Sequence, residues 1–391
     1  MMPENKGAVS RRRFIKVMGG AAVLAGVGAI GLSRCDQMPQ DAVVAWGGPG
    51  PQESEPRRRA LSYALLAPNP HNRQPWIADL RERDAVTFLC DPARLLPDTD
   101  PFSRQIIIGC GAFLELLCMA AAEQGLRADV THFPDGDWRE GQVGEAPLCR
   151  VAFTQDKNVG PDPLFAQVLL RRTNRNPYSE ITMTGAEADQ LASALQASSA
   201  QFGWTADAKK CAELRAHAGQ GWRIELDTDA AYLESVRLYR ITGSEIAQHR
   251  DGLSLNGPFV WWANRTGMLT HEKALALDPS TRAQSYEFVA SQIRSTSSFA
   301  WLSTGSNDRR AQLDAGAAYV RLNLKATELG LALGPLSQVL QEFPAMLSLR
   351  EQNKKLLGVP DAHTVQMFVR AGRAESMGPS PRRALDDIIR I

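Results

Sequence analysis

Apolar positions along the chain switch between helical and strand spacing. Arg57 to Leu66 reads as a helix, Val86 to Cys90 as a strand and Gly109 to Gln124 as a mostly apolar helix with Gly125 as its C-cap; a further strand runs through Val130. Later in the chain, Phe299 to Thr304 reads as a strand, a long helix contains Gly316, and Thr364 to Ala371 reads as a strand. This mixture of elements implies an α+β body. Residues 180–300 are harder to assign, because Ser/Ala-rich and helical patterns alternate there. Phe259, Trp261 and Trp262 sit beside a turn signal at Asn256-Gly257-Pro258, and core packing is the preferred reading of the two tryptophans.

One helical pattern occurs twice. Gly111 to Leu126 and Gly316 to Leu331 share two glycines fourteen residues apart, a similar end before the second glycine and a leucine after it, at an offset of 205 residues. This implies two related halves; two ordinary amphipathic helices with glycine caps are the alternative.

The N-terminus is patterned differently. Ser10 to Lys16 reads S-R-R-R-F-I-K, and a glycine-laced, weakly apolar run follows from Val17 to Leu32. A charged region before a short apolar one is a targeting segment, and its paired arginines are of the twin-arginine type. Val43-Val44-Ala45 offers a cleavage site, and an uncleaved basic anchor on the membrane is the alternative. Within this run Gly26, Gly28 and Gly31 satisfy G-x-G-x-x-G, but they lack the strand, helix and acidic residue of a dinucleotide site. The chain divides into a signal segment at 1–45, a Gly/Pro linker at 46–56, and halves at 57–160 and 161–391.

Composition narrows the chemistry. A net charge of +1 gives no reason to expect a nucleic-acid partner. The six cysteines lack any C-x-x-C pair and the six histidines are scattered, so no metal site is expected. Cys110 and Cys118 lie in an apolar helical stretch, as buried hydrophobes or as a disulfide.

Two stretches carry candidate chemistry. In Leu65 to Trp76 three prolines, Pro68, Pro70 and Pro75, exclude an ordinary helix and push Ala67, Asn69 and Gln74 toward extended backbone. Asn69, His71, Asn72 and Gln74 then offer donors and acceptors to a flat heteroaromatic ligand, with Trp76 as an apolar anchor; a turn whose amides satisfy their own backbone is the alternative. In Leu169 to Tyr178, Arg171, Arg172 and Arg175 surround the Thr173 hydroxyl, either as a phosphate clamp or as a solvated helix end.

The first stretch resembles the P-S-x-x-N-x-Q-P-W flavin loop of the FMN-dependent nitroreductase family, with Pro68, Asn72, Gln74, Pro75 and Trp76 on the pattern and Asn69 and Pro70 in place of its two serines. The second resembles that family's R-x-S-x-K/R motif, matched by Arg171, Thr173 and Arg175. Leu329 to Gln338 resembles its L-G-L-x-x-x-P-[IL] turn, with Gly334, Pro335 and Leu336 matching, and Arg382 and Arg383 resemble its late basic residues.

The resemblance implies a nitroreductase-like mixed sheet flanked by helices, with the two halves acting as a single-chain counterpart of the family's intertwined dimers. It further implies one FMN. Arg171 and Thr173 would lie on its phosphate and ribityl side, Arg175 on its ring, and the loop, the Gly334 turn and Arg382/Arg383 around it. Asn72 precedes Arg171 by 99 residues, so one half would supply the loop and the other the clamp. The tryptophans at 261 and 262 could instead cap a flavin face. The implied function is that of a periplasmic oxidoreductase, exported folded through the twin-arginine translocase. It would pass electrons to a small-molecule nitroaromatic or quinone acceptor, and no catalytic side chain is required. A non-catalytic FMN-binding protein and a flavin-free structural pseudo-dimer are the alternatives. Stable membrane anchoring is not expected.

Overall fold

The computed structural model describes residues 36–136, 138, 143, 146–195 and 198–391. Ser10 to Leu32, where the twin-arginine signal is expected and the G-x-G-x-x-G glycines lie, and Cys35 are outside the described residues.

The helices, in chain order, are α1 (Gln40–Val43), α2 (Pro56–Ala64), α3 (Arg104–Ala122), α4 (Gly185–Ser193), α5 (Ala208–Asp227), α6 (Asp229–Arg237), α7 (Thr242–His249), α8 (Pro258–Arg265), α9 (His271–Leu275), α10 (Pro279–Arg294), α11 (Arg309–Glu328) and α12 (Leu347–Leu357). The strands are β1 (Trp76–Asp79), β2 (Ala85–Cys90), β3 (Leu126–His132), β4 (Cys149–Gln155), β5 (Gln201–Thr205), β6 (Tyr239–Ile241), β7 (Leu253–Leu255), β8 (Ser298–Thr304), β9 (Ala332–Pro335), β10 (Thr364–Gly372) and β11 (Ile389–Arg390). The result is an α+β fold with helices flanking two larger sheets rather than one. The first runs β11-β1-β2-β4-β3 and is mixed, because β11 pairs parallel to β1 while its other pairs are antiparallel. The second, β5-β8-β10-β9, is antiparallel throughout.

α3 and α11 pack against each other between the two cores. α3 starts five residues before the expected Gly109 because Asp100 caps it from upstream, accepting the backbone N–H groups of Gln105 at 3.1 Å and Ile106 at 2.9 Å. Asp308 caps α11 in the same role, accepting the Ala311 N–H at 2.8 Å. Gly125 and Gly330, at φ +68° and +67°, close the two ends.

The repeated glycines meet at this interface. A Cβ on Gly111 would collide with the Leu313 carbonyl, and one on Gly316 with the Ile108 carbonyl. Residues 108 and 313 differ by the same offset as 111 and 316, so the contact is reciprocal, as in a two-fold interface. Each helix also reaches the other's core: Leu313, Val320 and Leu324 pack under the first sheet, and Ile108 under the second. α3 is long and apolar enough to cross a membrane, yet it is mostly buried in this packing.

The expected boundaries shift in three places. The 46–56 linker begins with Trp46, which belongs to the first core, and Ala42 before it is fully buried. Asp36 accepts the Gly257 N–H through its carbonyl at 3.0 Å, so the folded body includes residues assigned to the signal segment. At the other end, the tail leaves the second half and adds β11 to the first sheet, pairing Ala78 with Ile389. The five described cysteines are free, and Cys90 and Cys110 are buried side by side. Trp262, expected in the core, is 41% exposed, because α8 is a surface helix that buries only Ala263.

Candidate functional site

The proline-rich loop folds as a short 3₁₀ turn at Pro70–Asn72, with Pro70 at the position where a missing N–H costs nothing. Asn69 is extended as expected, at φ −156°. Gln74 is not: it takes φ +49°, next to His71 at +47° and Asn72 at +50°. Three non-glycine residues in the left-handed region are uncommon and need outside support. That support comes from distant parts of the chain. Gln74 is fully buried; its Nε2 donates to the Arg250 carbonyl at 2.8 Å, and its Oε1 accepts the Arg383 N–H at 2.8 Å. Trp76 anchors the loop as expected, fully buried with its ring 5.0 Å from Phe113.

The same contacts use up the loop's amides. Asn69 Oδ1 accepts the Gln74 N–H and its Nδ2 donates to the Ala67 carbonyl; Asn72 Nδ2 donates to the Pro381 carbonyl and its Oδ1 accepts from Arg382. Asn69, Asn72 and Gln74 were expected to present donors and acceptors to a ligand. Asn69 instead serves its own loop, as in the turn alternative; Asn72 and Gln74 bond to residues 176 to 310 positions away.

The arginines are closer to the expectation. Arg171 is buried and donates from Nη2 to the Leu66 carbonyl at 3.0 Å, while its buried Nη1 has no hydrogen-bond partner. Burial lowers the Arg171 guanidinium to about 10, with Arg172 pushing the same way. Arg382, expected around the cofactor, is buried and spends its donors on the carbonyls of Leu65, Leu66 and Pro381 and on Asn72. Burial and the neighbouring Arg171 and Arg172 hold it well below its ordinary value. All three guanidinium groups surround one ring: Arg172, Arg382 and Arg171 stand 4.1, 5.0 and 5.5 Å from the centroid of Trp46. Among the described residues none of the three has a carboxylate partner.

The remaining expected positions divide. Arg175 lies near enough to repel a protonated His71, so the loop and the arginine segment do converge. Gly334 is needed for close approach, but what stands at its missing Cβ is the Asn174 carbonyl at 2.6 Å and the Arg370 guanidinium at 3.0 Å. Pro335 of β9 pairs with Val369 of β10, and Leu336 is buried in the hydrophobic cluster that includes Val339, Phe343 and Phe368. Arg383 is tied to the Gln74 carbonyl at 3.2 Å.

One cluster was not visible in the sequence reading. His71 Nε2 lies 3.0 Å from Ser235 Oγ, which donates to Glu225 Oε1 at 3.3 Å; Gln341 Nε2 donates to Glu225 Oε2 at 2.8 Å. Burial raises Glu225 to about 7 against the opposing effect of these bonds, with Glu234 adding to the rise. His71 keeps some accessible surface, but its crowded surroundings, then Arg175 and Arg73, lower it to about 4. A signal for Glu225 was present: Cys211, Leu214, Ala218, Trp222 and Glu225 fall on one buried helical stripe, where an acid is out of place.

A family model described as "Nitroreductase family" matches residues 183–373. The loop at 65–76 and the arginine segment at 169–178 lie outside it. Over a longer span the chain is similar to two proteins of Mycobacterium tuberculosis (strain ATCC 25618 / H37Rv). It is 26% identical over 352 residues to "Putative NAD(P)H nitroreductase acg", covering 85% of this chain and 95% of that one. It is 26% identical over 360 residues to "Putative NAD(P)H nitroreductase Rv3131", covering 86% and 92%. Among solved structures it is similar to an FMN-bound nitroreductase of Desulfitobacterium hafniense DCB-2, at 15% identity and a TM-score of 0.36, covering 59% of this chain and 98% of that one.

Proposed function

We propose that the protein is an FMN-dependent oxidoreductase of nitroreductase type, with one flavin per chain and a nitroaromatic or quinone as electron acceptor. The observation that carries the reading is Arg171: a buried guanidinium with an unspent Nη1, sharing the Trp46 ring with Arg172 and without a carboxylate partner among the described residues. An anion held there would be the phosphate of the cofactor. When bound, the flavin supplies the redox chemistry. The chain's own part is to hold the phosphate with Arg171, Arg172 and Thr173 and to place Arg175 and His71 beside the ring. The reciprocal packing of α3 and α11 supports reading the chain as a pseudo-dimer, in which the first half brings the loop and the second the arginines.

A flavin-free pseudo-dimer is the second reading, favoured by the committed amides of Asn69, Asn72 and Gln74. Flavin released by denaturation separates the two, with an expected ratio near one per chain; none, after reconstitution with FMN, would leave the flavin-free reading. Arg171→Ala is expected to weaken FMN binding by ~1.5–3 kcal/mol while affecting riboflavin far less, because only FMN carries the phosphate. Fluorescence titrations with both ligands check this, and equal losses would remove Arg171 from the clamp.

We also propose export of the folded protein through the twin-arginine translocase. Cleavage after Ala45 does not fit the folded body, since the Ala42 carbonyl accepts the Arg382 N–H at 2.8 Å and Trp46 would become the first residue. The proposal is therefore that residues 36–45 stay with the exported protein. Replacing Arg11 and Arg12 by lysine is expected to leave it folded in the cytoplasm, as read by fractionation. Undiminished export would refute the assignment.

A further inference from the structure

The cluster behind the loop has no assigned role. Glu225 on α5, Ser235 on α6 and His71 in the loop are joined by the two hydrogen bonds given above, and the line crosses from the second half to the first. Glu225 is 2% exposed and has no arginine or lysine partner among the described residues. A buried carboxylate without a cation is costly, so the acid holds its proton unusually well. At the other end, His71 Nδ1 makes no hydrogen bond among the described residues and is not sealed from solvent. The imidazole therefore has one nitrogen tied to the acid through Ser235 and one without a hydrogen bond among the described residues.

We propose that Glu225, Ser235 and His71 form a proton wire ending at His71 Nδ1, in which the protonation state of Glu225 decides whether that nitrogen donates or accepts. The reasoning is one of hydrogen-bond polarity. With Gln341 Nε2 donating to Oε2, the Oε1 of Glu225 is the atom left for Ser235. When Glu225 is ionised, Ser235 O–H donates to it, Ser235 Oγ accepts from His71 Nε2–H, and Nδ1 carries a lone pair. When Glu225 is protonated, its O–H donates to Ser235 Oγ, Ser235 O–H donates to His71 Nε2, and Nδ1 carries the proton. A neutral imidazole suits this role because it has one donor and one acceptor nitrogen at a time.

The wire rests on the flavin reading for its use. Reducing a quinone to a quinol takes two electrons and two protons; a bound flavin would supply the electron pair with one of those protons, and the second must come from elsewhere. His71 Nδ1–H gives that proton to the acceptor oxygen, Nε2 recovers one from Ser235, and Ser235 recovers one from Glu225. The carboxylate left behind regains its proton along the same wire: Nδ1 takes one from solvent, Nε2–H passes one to Ser235, and Ser235 passes one to Glu225. His71 is the catalytic residue in this scheme, and Ser235 and Glu225 act through it. The charged and titratable groups around the wire are Arg175 and Arg73 near His71, and Glu234 and Tyr239 near Glu225.

Nitrogen NMR of the full chain with ¹⁵N-labelled histidine, without flavin, tests the wire independently of activity; His71→Gln assigns the signal. The expected result is a change of His71 tautomer, from Nδ1–H to Nε2–H as pH rises, with its midpoint near the Glu225 value of about 7. That change should vanish in Glu225→Gln and Ser235→Ala and return in Ser235→Thr, which keeps the hydroxyl. A tautomer that is constant across this range in the unaltered protein, or that switches equally in Glu225→Gln, would overturn the proposal. In flavin-loaded protein, Glu225→Gln is expected to slow reoxidation by a quinone at least tenfold with unchanged FMN affinity. Failure to bind FMN would sink the flavin reading while the tautomer measurement still decides the wire; a switching tautomer with unchanged reoxidation would refute its part in the reaction.

Discussion

Gly316→Ala is expected to destabilise the protein by more than ~3 kcal/mol, at or beyond the upper end of ordinary overpacking costs. The added methyl has no free direction. It would meet the Ile108 carbonyl at once, with Ala112 N at 2.8 Å and the Gly111 Cα at 2.9 Å, and all three are backbone atoms of α3 that no rotamer change can move. The helices must separate instead. Because Leu313, Val320 and Leu324 fill the first core and Ile108 the second, separation loosens packing on both sides. Gly111→Ala should cost a similar amount, since the contact is reciprocal: its methyl meets Leu313, with the Cα at 2.8 Å. Gly160→Ala is the control, with open space around it and an expected change within ~0.5 kcal/mol. Denaturant midpoints of the three variants check this, and a Gly316→Ala protein within 1 kcal/mol of the parent would show that the helix contact is not tight.

This helix pair is also where the sequence was most legible. Close helix packing demands a missing side chain, and a reciprocal contact demands it twice at one offset, so the constraint appears as a repeated letter. The strands β2, β3, β8 and β10 were legible from their apolar runs, whereas β4, β5, β9 and β11 were not read as strands. What could not be read depends on partners far along the chain. Gln74 before Pro75 is pushed by local sterics toward extended backbone, yet it is held at positive φ by Arg250 and Arg383, 176 and 309 residues away. Arg382 reads as one basic residue in a tail, and only the return of that tail to β1 makes it a buried donor to the Leu65 and Leu66 carbonyls. The loop motif was legible as a motif but not in the fate of its amides, because whether an amide serves a ligand or the protein is decided by what else folds against it. Trp46 is the sharpest case. Followed in sequence by Gly47, Gly48, Pro49 and Gly50, it reads as the start of a linker, and nothing nearby indicates the three arginines that it meets.

Trp46→Ala is accordingly expected to cost ~3–5 kcal/mol, the range for removing a buried aromatic side chain. The loss has three parts. The ring is only 8% exposed and belongs to the first core, so a cavity opens. Its Nε1 donates to the Ser380 carbonyl at 2.8 Å, which helps seat the tail that carries Arg382. The third part is electrostatic. Arg171, Arg172 and Arg382 repel one another, and with no carboxylate among them the negative face of the indole is the compensating group that the structure provides. Trp46→Phe keeps a π face and most of the volume but loses the hydrogen bond, so it should fall between the parent and the alanine variant. The electrostatic part can be read separately from the cavity. With the indole gone, a small divalent anion can take its place between the guanidinium groups, so inorganic phosphate should stabilise Trp46→Ala more than it stabilises the parent, by mass action on the folded state. Sodium chloride at matched ionic strength should not reproduce that difference, because screening acts on every charge and coordination on these three alone. Melting curves of the three proteins in the two salts measure both effects. Equal responses to phosphate in the alanine variant and the parent would mean that the indole does not compensate the arginines' charge, and that Trp46 contributes only its volume and its hydrogen bond.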